Sequence, residues 1–222
     1  MSVMRSLVFL AGRALDRSRL PELCGRMFTS LYTLYKARDL GSFGRGSSIQ
    51  PFVIFEGSEG IHMGSGTHLR AGCRVQTVPA YPASPAAPAQ KPLLRIGDGT
   101  LVGRFCHITA KERVEIGDRV LMGEGILIAD HDHGFKDTTI APRDQPLEAA
   151  RPVSIGDACW IGNGAAILAG ARLGTHVVVG ANAVVRGEVP PFTVVAGNPA
   201  RPVRRYDANV KEWVTVDTNG GA

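Results

Sequence analysis

Cysteines, aromatic side chains and long apolar runs are all scarce in this chain. Its four cysteines, at 24, 73, 106 and 159, are too scattered for a disulfide scaffold, and none forms a CxxC or CxxH pair. A zinc ribbon is excluded. The nearly uncharged stretch from Leu7 to Gly12 falls far short of the ~18 apolar residues that cross a bilayer, and no small-residue cleavage site follows it. The expectation is a cytoplasmic protein with no transmembrane segment, peripheral membrane association being left open. Neither charge sign dominates: 25 Lys and Arg against 20 Asp and Glu leave +5 with no block of like charge, so nucleic-acid binding gains no support. Aromatics make up 6% of the residues. Glycine (27) and proline (14) are plentiful instead, as in a backbone that turns often and carries few bulky side chains.

An aliphatic residue or Met recurs every sixth position in four runs. They are Met63, Leu69, Val75; Ile96, Val102, Ile108; Ile116, Met122, Ile128; and Ile155, Ile161, Ile167, Leu173, Val179, Val185. Nine of these 15 positions are followed at once by glycine, where composition alone would place about two. The fifth residue of many hexads is small: Thr67, Cys73, Thr100, Cys106, Cys159, Ala165, Ala171, Ala183. A period of six fits neither an amphipathic helix nor a hairpin meander. It fits short strands joined by tight turns, three hexads closing a triangular coil of ~18 residues whose rungs stack by parallel pairing. The glycines are then expected at corners, where they allow backbone angles denied to other residues. Cys73, Cys106 and Cys159 fall on the small inward position, which makes them core packing rather than catalytic thiols.

Three stretches interrupt the period. Residues 1–40 have apolar spacing suited to one or two helices ending near Gly41. Residues 79–94, PAYPASPAAPAQKPLL, hold five prolines and read as a loop thrown from a corner. Residues 131–152 leave the coil at a histidine pair and return at the next rung. The expected organisation is an N-terminal helical segment (1–40), a coil domain (41–205) with those two loops, and a C-terminal tail (206–222).

The segment from Ile155 to Arg205, with WIGNGA (160–165) and VPPFTVVAGNPA (189–200), together with ADHDHG (129–134), resembles the hexapeptide-repeat acyltransferases. The resemblance is closest to the O-acetyltransferases acting on galactosides, maltose and surface polysaccharides. It implies a mainly β fold, a left-handed parallel β-helix, assembled as a homotrimer with acetyl-CoA as acyl donor in the groove between neighbouring subunits. The implied acceptor is a sugar or glycan hydroxyl. Acyl transfer of this kind needs a base for the hydroxyl, and histidine suits it near neutral pH; the CoA thiolate leaves readily, so no covalent acyl-enzyme is needed.

Of the six histidines, His131 and His133 stand where the family keeps its catalytic histidine. Gap-free counting favours His133 as general base, with His131 orienting the acceptor. The resemblance further implies that Asn163 and Ala181 offer main chain to the pantetheine arm, that Trp160 lies beside it, and that Arg186 and Gly187 replace a Thr-Lys pair contacting CoA. Arg201 and Arg204 match residues gripping the nucleotide phosphates, for which planar guanidinium donors are suited. Where galactoside acetyltransferases carry an acceptor-binding Asn, Phe105 stands here, which points away from a simple galactoside toward a lipopolysaccharide, capsule or exopolysaccharide precursor. No metal ligand set is expected. The alternatives are N-acetyl transfer to an amino sugar nucleotide, a γ-carbonic-anhydrase-like zinc enzyme using His107, His131 and His133, and a noncatalytic scaffold.

Overall fold

The structure, a computed structural model, describes residues 20–78 and 93–216. Residues 1–19 of the expected helical segment, all but the end of the loop at 79–94, and residues 217–222 lie outside the described residues. The described part of the N-terminal segment is one helix, Leu20–Ala37.

From Ser42 onward the chain winds as a triangular coil. Among the described residues its first face holds seven parallel strands, its second seven followed by an antiparallel pair, and its third six. The coils begin at Ser42–Phe43, Ile61–Met63, Leu93–Ile96, Arg113–Ile116, Val153–Ile155, Arg172–Leu173 and Glu188–Val189. Register stacks the six-residue repeat on itself. Met63, Ile96, Ile116, Ile155, Leu173 and Val189 pair in turn on the first face, and Val75, Ile108, Ile128, Ile167 and Val185 on the third. These interior residues are all at most 7% exposed, and each buried aliphatic side chain contributes roughly 1.5–3 kcal/mol of transfer free energy. One further run precedes the four found in the sequence: Phe43, Ile49 and Phe55 carry the same spacing and form the first coil.

The offset between register partners is 18 residues from Ile155 to Leu173, but 33 from Met63 to Ile96 and 39 from Ile116 to Ile155, so the stack keeps its register across both interruptions of the period. The loop expected at 79–94 ends earlier. Leu93 and Leu94 are already strand, Leu94 being fully buried and paired with Ile61 and Val114, because it repeats the inward side of Ile96 two residues on. Part of the segment expected as a tail, 206–222, is strand. The strand Arg201–Asp207 runs across that boundary and pairs with Glu212–Thr215, and this hairpin covers the last parallel strand, Thr193–Ala196, whose edge would otherwise stand open. Tyr206 and Trp213 face each other across it with ring centroids 5.7 Å apart.

The glycines that follow the aliphatic positions do a different job from the one expected. None of them has positive φ; that conformation falls two residues later, at Gly66, Gly99, Phe105, Arg119, Gly125, Ala158, Gly164, His176 and Asn182. What requires glycine is the approach of the next coil. A Cβ on Gly162 would lie 2.7 Å from the Ala181 nitrogen, and one on Gly156 would lie 2.7 Å from the Gly174 carbon. The small fifth residues join the same seam. Thr100 Oγ1 donates to the Gly117 carbonyl (2.8 Å), Cys73 Sγ to Gly103 (3.0 Å), Cys106 Sγ to Gly123 (3.3 Å) and Cys159 Sγ to Gly174 (3.1 Å). Burial pushes the Cys159 thiol up to about 11, which keeps it protonated and unreactive.

The helix Leu20–Ala37 caps the first coil through its polar positions. Buried Thr33 donates its hydroxyl to the Ile49 carbonyl (3.1 Å) and accepts the Ile49 N–H (2.9 Å), while the Tyr32 hydroxyl donates to the Val53 carbonyl (3.0 Å).

Candidate active site

The fourth coil is where the chain makes its longest departure. Its third-face strand, Leu127–Ala129, ends at Asp130, and the strand structure of the coil resumes at Val153. Asp130 is completely buried and turns back to the corner joining the third coil to the fourth. Its Oδ1 accepts the Lys111 N–H and its Oδ2 accepts the Glu112 and Arg113 N–H groups, each at 2.8 Å. The same Oδ1 lies 2.7 Å from His131 Nδ1.

Burial by itself would push the Asp130 carboxyl up. The His131 hydrogen bond and the three backbone N–H groups outweigh it and hold the group below the usual 3.8, so it is ionised at neutral pH. An ionised carboxylate only accepts hydrogen bonds, so neutral His131 carries its proton on Nδ1 and keeps a lone pair on Nε2. The imidazole is 11% exposed, oriented and still reachable. That is the electronic state of a general base whose orienting partner is already in place.

The loop that follows is pinned. Lys111 Nζ donates to the carbonyls of Leu147 (3.2 Å) and Glu148 (2.7 Å), and the Arg151 N–H donates to the Asp130 carbonyl (2.7 Å). Buried Gln145 holds the far turn, its Nε2 donating to the carbonyls of Asp137 (2.8 Å) and Ile140 (2.7 Å). His133 sits in this loop, exposed and bridged through its backbone to Leu147. The buried carboxylate of Asp130 meets His131, because the residue directly before His131 is the one that turns inward, whereas gap-free counting favours His133 as the base.

His107 lies on the neighbouring third-face strand, paired with Leu127. Its buried Nε2 has no hydrogen-bond partner, and burial together with the nearby Arg74 charge holds its pKa below the usual histidine value. Among the described residues of the single chain, no group of three or more His, Cys, Asp or Glu could hold a metal ion; the zinc alternative draws its histidines from two subunits.

The other expected site residues spread toward the C-terminal end of the coil. Trp160 is half-exposed on the second face, between Leu121 and Val178 in register. Asn163 uses its side-chain oxygen on the corner, where Oδ1 accepts the Glu124 N–H at 2.9 Å, and its carbonyl accepts the Asn182 N–H at 2.9 Å. Ala181 stacks beneath Gly162 at the same corner, one coil further on. Arg186 and Gly187 are exposed at the next corner, beyond the third face. Arg201 and Arg204 are exposed on the capping hairpin, Arg204 paired with Val194 and Thr215. Phe105 stands exposed at a second-to-third-face corner with positive φ, its ring beside Gly72. Asp130 and Lys111 were missed as site residues. The available signal was the ionisable residue adjoining His131 in ADHDHG.

Asp130 also makes the coil acid-sensitive. Its folded-state pKa is lowered, so its stabilising contribution is complete above the ordinary aspartate value near 3.8 and is lost as pH falls below it. Asp130→Asn is expected to cost about 2 kcal/mol at neutral pH, with the difference from wild type shrinking in acid. Thermal melts followed by circular dichroism across that range check this; a constant difference at all pH values contradicts it.

Residues 152–187 match the family described as bacterial transferase hexapeptide (six repeats). The chain carries this repeat, and its fold is the left-handed parallel β-helix of hexapeptide transferases. Two curated relatives are each 39% identical. "Putative lipopolysaccharide biosynthesis O-acetyl transferase WbbJ" of Escherichia coli K12 aligns over 123 residues, covering 52% of this chain and 62% of the relative. "Probable acetyltransferase Rv3034c" of Mycobacterium tuberculosis aligns over 116 residues, covering 52% and 38%. The chain therefore spans less than two thirds of either relative. Among solved structures, AntD, an N-acyltransferase from Bacillus cereus in complex with dTDP and 3-hydroxybutyryl-CoA, superposes with a TM-score of 0.65 over 80% of this chain and 89% of AntD. At 15% identity that likeness is one of fold.

Proposed function

We propose that this protein is an acetyltransferase that moves an acetyl group from acetyl-CoA to a sugar hydroxyl of a surface-glycan precursor, with His131 as the general base. The observation carrying this reading is the Asp130–His131 pair, an oriented imidazole with Nε2 free to accept a proton where the coil opens into its long loop. Nε2 takes the acceptor's hydroxyl proton as its oxygen attacks the thioester carbonyl. The tetrahedral intermediate then collapses, expelling the CoA thiolate, which the same proton neutralises. Asp130 stabilises the imidazolium formed between the two steps.

In this reading the donor runs from the fourth coil toward the hairpin. Trp160 and the main chains of Asn163 and Ala181 flank the pantetheine arm, Arg186 and Gly187 lie near its far part, and Arg201 and Arg204 take the phosphates. At ~4.8 Å per coil, the arginines stand roughly 15–20 Å along the axis from His131, a span an extended arm can cover. The sequence relatives named for acetyl transfer support the acyl group, and the lipopolysaccharide relative supports the acceptor class. Assembly as a homotrimer belongs to the same reading, supported by the exposed apolar side chains Phe52, Phe105, Leu121 and Trp160 on the outside of the coil.

The test is release of free thiol from acetyl-CoA with a panel of glycan fragments and sugar nucleotides carrying either hydroxyl or amino acceptors. Turnover with hydroxyl acceptors supports the proposal; turnover with amino sugars alone replaces it with N-acetyl transfer. Within that assay, Arg201→Ala combined with Arg204→Ala is expected to raise the acetyl-CoA KM about tenfold and to change kcat less, because a remote phosphate contact is made equally in ground and transition states. An unchanged KM removes these two residues from the donor site.

A further inference from the structure

The capping helix presents an apolar stripe to the outside. Met27, Phe28, Leu31, Leu34 and Tyr35, at the i, i+3, i+4, i+7 spacing of one helical face, are each 57% to 68% exposed, while the opposite side docks through Tyr32 and Thr33. Five large apolar side chains held in one stripe by a well-anchored helix call for a covering partner.

Charge says which partner. No block of like charge occurs in the chain, yet the net excess is not uniform: residues 1–40 hold seven Lys and Arg against three Asp and Glu, a net +4, leaving +1 for the remaining residues. Arg26 and Arg38 are exposed on the helix or just beyond it, and Lys36 lies 5.8 Å and 5.7 Å over the rings of Tyr32 and Tyr35. We infer that this helix is a docking surface for an anionic lipid bilayer, lying in the interface with its apolar stripe in the headgroup–acyl boundary and its basic residues on the lipid phosphates. A stripe of this composition flanked by Arg26, Lys36 and Arg38, in the segment where the chain's net positive charge lies, fits an anionic membrane. A second copy carries the same positive charge and would be repelled at this face. Among the described residues no helix is long and apolar enough to cross a membrane, so the geometry is that of a helix lying on the surface. The inference is independent of the proposed acyl transfer, since it concerns the opposite end of the coil from the arginines and is read without turnover.

Sedimentation of the full chain with vesicles tests it, using phosphatidylcholine alone and phosphatidylcholine containing phosphatidylglycerol. The expected result is binding to the anionic vesicles, little to the neutral ones, and release as salt rises. Leu31→Asp combined with Leu34→Asp, both at exposed positions, should lower that binding about tenfold or more with an unchanged thermal melt. Failure of the wild type to bind anionic vesicles overturns the inference, as does undiminished binding by the variant. Light scattering on both proteins covers the remaining case: if the substitutions break an assembly that the wild type forms in the absence of lipid, the stripe is covered by a second copy and the membrane assignment falls.

Discussion

Replacing His131 by alanine is expected to lower kcat by ~10² to 10⁴ and to leave acetyl-CoA affinity and the thermal melt close to wild type, since only proton removal in the transition state is lost. In free-energy terms the loss is roughly 3 to 5.5 kcal/mol. The size follows from the state of the ring. Asp130 is buried, ionised and held at four points, so the proposed base is already held in one orientation by its Nδ1 contact, with Nε2 turned away from that partner. Asp130→Asn should fold and keep its KM, with kcat reduced, because an amide orients the ring without stabilising its positive form. His133→Ala, by contrast, removes an exposed side chain and is expected to act mainly on acceptor KM. Steady-state kinetics on the three variants decide the matter: turnover lost in His133→Ala and retained in His131→Ala exchanges the two roles, and wild-type kcat in both removes histidine catalysis from this loop.

The second large effect concerns the coil itself. Gly162→Ala should destabilise the protein by roughly 3 kcal/mol or more, lowering Tm by about 10 °C, whereas Gly66→Asn should cost no more than about 1 kcal/mol. The two glycines answer different demands. A Cβ at Gly162 would sit 2.7 Å from the Ala181 nitrogen and 2.9 Å from the Gly180 carbon, and backbone cannot move aside without parting two coils. Gly66 needs only a φ of 64°, and a Cβ there would meet nothing closer than 3.9 Å; Asn182 adopts a φ of 56° at the equivalent corner. Melts of the two variants separate the explanations. Equal losses would mean that backbone angle, and not coil approach, is what the repeated glycines supply.

Much of the site was legible because chemistry and period coincide there. His131 and His133 stand out as two ionisable residues at the end of an aliphatic run, and ADHDHG marks where the coil opens. Choosing between them was not legible. Residues 130–133 alternate acid and histidine, and which carboxylate turns inward depends on three N–H groups of a corner 17 to 19 residues earlier in the chain. Asn163 shows the same limit from the other side: WIGNGA marks it, but only the stacked coils reveal that its side-chain oxygen is engaged by the Glu124 N–H.

What the amino-acid order determined by itself is the coil: its six-residue period, its three faces, its interior stacks and its two excursions. Each coil pairs only with its neighbours, so a local pattern repeated along the chain is also the long-range contact pattern. The first coil carried the same signal at Phe43, Ile49 and Phe55. Tertiary structure alone decided the features that depend on residues far apart in sequence meeting at one point. These are the reason for glycine after nine of the aliphatic positions, the turn of Asp130 onto the corner at 111–113, the hairpin that closes the last edge, and the docking of the capping helix that leaves its apolar stripe outward. Periodicity records which side of a strand faces inward, but a distance between coils, a buried carboxylate and an uncovered helix face exist only once the coils are stacked.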